Sequence, residues 1–242
     1  MGTTPRGTTS ERQAADYVRG MFGGIARQYD LLTHLLSFNL DKRWRRRTVE
    51  RVSRLATARE ARILDLCCGT GDVLMELERA RGTPAFGADF CHPMLTTAAA
   101  KIDRARLRSK LFEADGLALP LADASLDAIT IAFGFRNFAN YQKGLQEILR
   151  VLKPGGAAAI LEFSQPKNAL FARVYDWFSM VLLPRIGGLI SGSRQAYSYL
   201  PESIRKFPNA ELLASRMRQA GFSHVEYELM TFGAVALHIG RK

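Results

Sequence analysis

The stretch Arg62-Ile-Leu-Asp-Leu-Cys-Cys-Gly-Thr-Gly-Asp72 constrains the fold more than any other part of this 242-residue chain. Ile63, Leu64 and Leu66 form an apolar strand, Gly69-Thr70-Gly71 a tight turn, and Val73 to Arg81 reads as a helix. A strand entering a helix through a glycine turn opens a doubly wound sheet, in which turn amides and the helix N-terminus face a ligand. The next strand, Thr83 to Phe90, carries Asp89, 20 residues beyond Gly69. Sheets of this kind place a ribose-binding carboxylate there.

The flanking residues narrow the ligand. A dinucleotide fingerprint requires a third glycine at position 74, which is Leu74, and the Gly-Lys-Ser/Thr of a phosphate loop is absent. Ahead of the turn stands Asp65, an acid at a strand tip that would repel a pyrophosphate and suit a cation. S-adenosylmethionine carries an amine and a sulfonium, and its carboxylate can use the amides around Gly69 and Gly71. The bland alternative is that Asp65 caps the turn and Asp89 the following helix.

Residues 14–60 read as N-terminal helices, broken at Gly23-Gly24, that lie over the carboxyl ends of the strands and bring Phe22, Tyr29 and His34 towards the site. After a helix from Met94 to Arg108, the strand Leu111 to Gly116 ends in Asp115 and Gly116, placed to meet an adenine amino group. Ala128 to Phe133 is an unbroken apolar run, as in a strand buried on both faces. It opens onto Phe133-Gly-Phe-Arg136-Asn137-Phe138, an arginine and an asparagine among three aromatic rings, which suits a flat, oxygenated ring. The competing role for Arg136 is a structural ion pair. A helix to Leu152, a strand from Ala157 to Phe163, a cap at 164–207, a helix Asn209 to Ala220 and a hairpin (His224 to Thr231, Ala234 to Ile239) complete the chain. Residues 1–13 read as a flexible tail ahead of a single domain, 14–242.

No segment supplies the ~18 uncharged apolar residues of a bilayer span. The most apolar one, Trp177 to Ile190, is short and holds Pro184 and Arg185. Three cysteines, two of them adjacent, point to a reducing compartment, and no ligand spacing suggests a metal. The expected location is therefore cytoplasmic. The net charge of +11 suits nucleic acid, anionic lipid or plain solubility. Its two clusters, Lys42 to Arg47 and Lys101 to Lys110, read first as solvated helix faces, with Lys42 to Arg47 the better candidate for a lipid or phosphate surface.

Asp65-x-x-x-Gly-Thr-Gly71, Asp89, Leu119-Pro120 before Asp127, Leu152-Lys-Pro-Gly-Gly156 and the terminal hairpin together resemble a class I S-adenosylmethionine-dependent methyltransferase. Gly134-Phe-Arg-Asn137, Leu161-Glu-Phe-Ser164, Leu183-Pro-Arg-Ile-Gly187, Tyr199-Leu-Pro-Glu-Ser-Ile204 and Val235-Ala-Leu-His238 are similar to the ubiquinone/menaquinone-biosynthesis C-methyltransferases. The resemblance runs from about Phe22 to the C-terminus. It implies a Rossmann-like α/β fold with a seven-stranded, mostly parallel sheet and an antiparallel last strand. It also implies S-adenosylmethionine held at Thr70, Asp89, Asp115 and Gly116, with no metal, and methylation of a ring carbon on a polyprenylated quinol at Arg136 and Asn137.

Two departures stand out. Cys67 replaces the first glycine of the usual turn, where a small residue should still fit, and Ala132 replaces a serine common in the family. Demethylmenaquinol is the expected acceptor, with the benzoquinol of ubiquinone synthesis as the alternative, and Tyr29, Tyr197 and Tyr199 are candidate substrate contacts. Nucleic acid is not an expected partner, because the Asp/Asn-Pro-Pro-aromatic motif of amino-directed nucleic-acid enzymes does not follow the fourth strand. A cofactor-binding scaffold without turnover would keep Asp65 and Asp89 and leave Arg136 and Asn137 without a role. The basic N-terminal helices could rest on the inner face of a membrane.

Overall fold

The computed structural model describes residues 2–26, 28–166, 173 and 194–242. Three helices, α1 (Glu11–Ile25), α2 (Tyr29–Leu36) and α3 (Leu40–Leu55), precede the sheet. There follow β1 (Ile63–Leu66), α4 (Asp72–Arg81), β2 (Phe86–Asp89), α5 (His92–Arg104), β3 (Lys110–Glu113) and β4 (Leu126–Ala132). A 3-10 turn (Phe135–Asn137) then leads to α6 (Tyr141–Val151) and β5 (Leu152–Phe163). The described chain closes with α7 (Arg194–Lys206), α8 (Ala210–Ala220), β6 (Ser223–Met230) and β7 (Val235–Arg241).

The sheet order is β3-β2-β1-β4-β5-β7-β6, with β1 to β5 parallel and β7 antiparallel to both of its neighbours. Strands β1 and β4 are apolar throughout apart from Asp65, Asp127 and Thr130, because helices cover both faces. One face packs on α3, α4 and α5 through Val49, Val52, Leu74, Leu77 and Ile102. The other packs on α6 and α8 through Leu145, Ile148, Leu213 and Met217. Chain order reverses between β1 and β4, so the carboxyl ends of those strands diverge and leave a crevice where such sheets bind ligands.

Two expectations are corrected here. Helix α1 continues through Gly23-Gly24: it buries Ala14, Val18, Met21 and Ile25 along one face, and that packing outweighs the ~1 kcal/mol cost of each helical glycine. The N-terminal residues are also not a loose tail. Ser10 caps α1 by accepting from the Gln13 amide, and the buried Thr3 donates its own amide to the Phe138 carbonyl at 2.8 Å.

The basic cluster at 42–47 is largely consumed by the fold. Trp44 is buried and donates its indole N–H to Thr231, Arg45 pairs with Asp41 and Asp72, Arg46 with Glu76, and Arg47 with Glu228. Lys42 and Arg43 stay exposed and make no ion pair among the described residues. The Trp177 to Ile190 segment lies outside the described residues, as does most of the expected 164–207 cap. Among the described residues no helix is long and apolar enough to cross a membrane.

Candidate functional site

The glycine turn is held by the acids on either side of it. Asp89, buried at the end of β2, accepts from the Gly69 amide and from the Cys91 amide, both at 2.9 Å, and so ties the turn to the start of α5. Burial raises its pKa against the pull of those bonds. Part of the structural role weighed from sequence is thus present, and each carboxylate oxygen keeps a lone pair for a ligand hydroxyl. Asp65 is different. Its Oδ1 accepts from Thr130 at 2.7 Å, while Oδ2 is buried with no hydrogen-bond partner among the described residues, beside a second cavity lined by Tyr29, Arg45, Cys67, Gly69 and Thr70. Burial pushes its pKa up to about 7. An orphaned buried carboxylate oxygen is costly, and an ammonium donor would both satisfy it and keep it ionised. The residues therefore fit the cationic ligand inferred from sequence.

Cys67 fits its place under strain. It sits at φ 57°, the left-handed region that a glycine would enter freely, and Phe133, opposite it at the end of β4, sits at φ 60°. The space for its side chain comes from Gly134, where an added Cβ would lie 2.3 Å from the Cys67 Cβ. Burial raises the Cys67 thiol well above its ordinary pKa, so it lines the site as a neutral group.

A cavity of about 740 Å³, its open mouth included, runs from this turn across the strand ends. Asp89, Asp115 and Gly116 line one part of it; Tyr29, Phe133, Gly134, Asn137 and Phe138 line another. Asp115 is exposed and accepts from the Leu117 amide at 2.9 Å, which turns the chain so that the 115–117 backbone borders the cavity. Phe22 and Tyr29 also reach this cavity, as expected. His34 does not: its Nδ1 lies 2.8 Å from Asp41 in a polar cluster behind the turn.

That cluster was not visible in the sequence. Thr70 donates to Asp30 of α2, and Lys101 of α5 bridges Asp30 at 2.6 Å and Asp72 at 2.5 Å. Arg45 of α3 joins Asp72 as well. Four separate elements thereby clamp the turn through residues distant in sequence, which no local spacing could reveal. Thr70 also lines the cavity beside Asp65.

Arg136 and Asn137, adjacent in sequence, part in space. Arg136 is buried below the cavity and is not in its lining. Its Nη1 lies 3.1 Å from Glu162 Oε1 and donates to the Phe133 carbonyl, its amide donates to Glu162 Oε2, and its guanidinium lies over the Phe163 ring at 5.3 Å. Coulombic attraction from Glu162 helps raise its pKa against the desolvation that lowers it, so it stays a cation. The ion pair weighed from sequence is therefore present, and Glu162 is a member of this centre that sequence reasoning missed. Its position opposite the 3-10 turn follows from the β4–β5 register, which pairs Ile131 with Ile160 and Ala132 with Leu161. Asn137 does line the cavity, and its Oδ1 accepts from Tyr199 at 2.9 Å. Tyr199 is thus bonded to Asn137, and the side chain of Tyr197 lies outside the described residues. Among the described residues no three His, Cys, Asp or Glu side chains are placed to hold a metal ion.

The sheet order and the crevice define the fold of class I S-adenosylmethionine-dependent methyltransferases. A methyltransferase of that type from Aquifex aeolicus superposes with a TM-score of 0.55 at 19% identity, over 75% of this chain and 81% of its own. The [4+2]-cyclase SpnF superposes at 0.62 with 20% identity over 81% of each chain, so the fold by itself does not specify the reaction. The family does so more narrowly: residues 8–242 match the ubiE/COQ5 methyltransferase family, and the chain belongs to it. It is 52% identical over 221 residues to the demethylmenaquinone methyltransferase of Thermus thermophilus, covering 91% of this chain and 99% of that one. It is 45% identical over 232 residues to the enzyme of the same name from Deinococcus radiodurans, covering 93% and 92%. It is 46% identical over 223 residues to the ubiquinone/menaquinone biosynthesis C-methyltransferase of Syntrophotalea carbinolica, covering 92% of each.

Proposed function

We propose that this chain transfers the methyl group of S-adenosylmethionine to a ring carbon of demethylmenaquinol, giving menaquinol, S-adenosylhomocysteine and a proton. The observation that carries this reading is the cavity at the end of β4, where Asn137 sits among Tyr29, Phe133 and Phe138 next to the glycine turn. The names of the Thermus and Deinococcus relatives support the naphthoquinol over the benzoquinol.

S-adenosylmethionine supplies an electrophilic methyl on a sulfonium. In this reading Asp65 receives its ammonium group, Asp89 its ribose, and the Asp115-Gly116 segment borders its adenine, while Thr70 keeps the turn in shape through Asp30. The acceptor is the reduced ring: loss of a quinol hydroxyl proton pushes electron density onto the adjacent carbon, which forms the new C–C bond as the S–C bond breaks. The ring carbon then gives up its hydrogen and the ring oxygen takes back a proton, so that the quinol is restored and one proton is released net. The Asn137 amide donates to the ring oxygen that gathers charge. Arg136, cationic and fixed beneath the cavity, stabilises that charge from below without touching it. Alignment of donor and acceptor is worth ~7–11 kcal/mol, more than the ~10²–10⁴-fold of a typical general base, so a site built mainly to position suits this chemistry.

The lipid tail calls for contact with a bilayer. The outer side of α2 leaves Leu31 61% and Leu35 49% exposed, and Leu40 with the exposed Lys42 and Arg43 follows at the start of α3. An apolar strip beside exposed cations suits an anionic lipid surface. Tyr29, at the start of the same helix, lines the cavity, which gives a ring drawn from the lipid a short path inward.

The test is methyl transfer from labelled S-adenosylmethionine to demethylmenaquinol, with and without a reductant, beside the demethylated benzoquinol and bulk RNA. Label in the naphthoquinol only when it is reduced is the expected result. Preference for the benzoquinol would move the substrate to the ubiquinone series, and label confined to RNA would overturn the reading.

A further inference from the structure

The N-terminal segment closes over the 3-10 turn that carries Asn137, and it does so through a chain of hydroxyls. Tyr199 Oη donates to Asn137 Oδ1 at 2.9 Å and lies 2.9 Å from Thr3 Oγ1. A phenol has one proton, and here it is committed to Asn137, so the bond to Thr3 runs the other way, with the Thr3 hydroxyl as donor. Both Thr3 and Tyr199 are buried. The backbone fixes the approach: the Thr3 amide donates to the Phe138 carbonyl at 2.8 Å, and Lys206 of α7 donates to the Thr4 carbonyl at 2.9 Å. Gly2 must be a glycine for the segment to lie this close, because an added Cβ would stand 2.1 Å from the Phe138 oxygen.

The relay decides which way the Asn137 amide faces. An amide offers an oxygen that accepts and a nitrogen that donates, and it could present either to the cavity. With the oxygen held by Tyr199, the N–H side remains for the cavity that Asn137 lines. We propose that Thr3 and Tyr199 are positioning residues, a two-hydroxyl relay that orients Asn137 as a donor to the acceptor's ring oxygen. The inference rests on the quinol reading above. The relay makes Thr3 part of the site although it does not line the cavity.

The experiment is a double-mutant cycle on the full-length chain, read as kcat and KM for the quinol together with the dissociation constant for S-adenosylmethionine and thermal stability. Tyr199→Phe removes only the hydroxyl, and Thr3→Val removes the next link. In the wild-type background, Tyr199→Phe should lower kcat/KM for the quinol about tenfold, the scale of one misdirected hydrogen bond, while cofactor affinity stays within twofold. In an Asn137→Ala background the same change should do almost nothing further, because the group it orients is gone. Thr3→Val should give a smaller loss that Thr3→Ser restores.

An equal loss from Tyr199→Phe in both backgrounds, or a parallel loss of cofactor affinity, would show the hydroxyl to be a packing contact and overturn the relay. Failure of the wild-type chain to methylate any quinol would instead overturn the functional reading, so the two failures are distinguishable.

Discussion

Replacing Asp65 with asparagine should make the ligand-free protein more stable at alkaline pH and a worse binder. In an unfolded chain this carboxyl ionises near 3.8; in the folded protein, burial holds the proton on it to about 7. Between those values the folded state binds a proton that the unfolded state does not, so the contribution of Asp65 to stability falls as pH rises through that window. About three pKa units at 1.36 kcal/mol each set the scale at about 4 kcal/mol, complete above about pH 7. Asparagine keeps the shape and the acceptor for Thr130 and has no proton to lose, so this component of the pH dependence should vanish. Binding has the opposite sign. An ammonium pairs with the ionised form, so affinity for S-adenosylmethionine should rise towards a plateau above about pH 7. The variant should bind ~10–100-fold more weakly at pH 8, the scale of a hydrogen bond to a charged group. Urea denaturation and calorimetric titration at half-unit steps from pH 5 to 8 read both effects. A wild-type profile with the same slope as the variant, or unchanged affinity in the variant, would refute the argument.

Three further outcomes follow from the same structure. Arg136→Met should cost ~3–5 kcal/mol in denaturant stability because it leaves Glu162 buried and unpaired, and the double variant Arg136→Met, Glu162→Leu should recover much of that loss while remaining inactive. Gly134→Ala should be severely destabilising because its Cβ would collide with Cys67, and Cys67→Gly should rescue it while also relieving ~1–2 kcal/mol of left-handed strain, as thermal melts of the single and double variants would show. Leu31→Glu with Leu35→Glu should abolish flotation with phosphatidylglycerol vesicles and lower turnover of a long-tailed quinol, while leaving turnover of a short-tailed, water-soluble analogue within twofold.

The strand and turn at 63–71, the acid at 89 and the apolar run at 128–133 were legible because each is a local pattern with one economical structural solution. The cavity accordingly contains Gly69, Asp89, Asp115, Gly116 and Asn137. The basic run at 42–47 misled for the opposite reason. Whether Arg45 and Arg47 face solvent or Asp72 and Glu228 depends on how α3 lies across α4 and β6, and helical periodicity within α3 does not specify those partners. The N-terminal residues look like a tail because Gly, Thr and Pro carry no core signal, yet two hydroxyls and a glycine suffice to bind the segment to the turn at 135–137.

The sequence by itself determined the sheet, the glycine turn at its first crossover and the acidic charge around that turn, since these follow from hydrophobic period, glycine conformation and charge over a few adjacent residues. Only the tertiary structure decided which polar groups meet. It put Glu162 under Arg136, Asp30 against Thr70, Gly134 against Cys67 and Thr3 behind Tyr199. Such contacts join residues far apart along the chain, and they are fixed by strand register and helix packing rather than by any local preference.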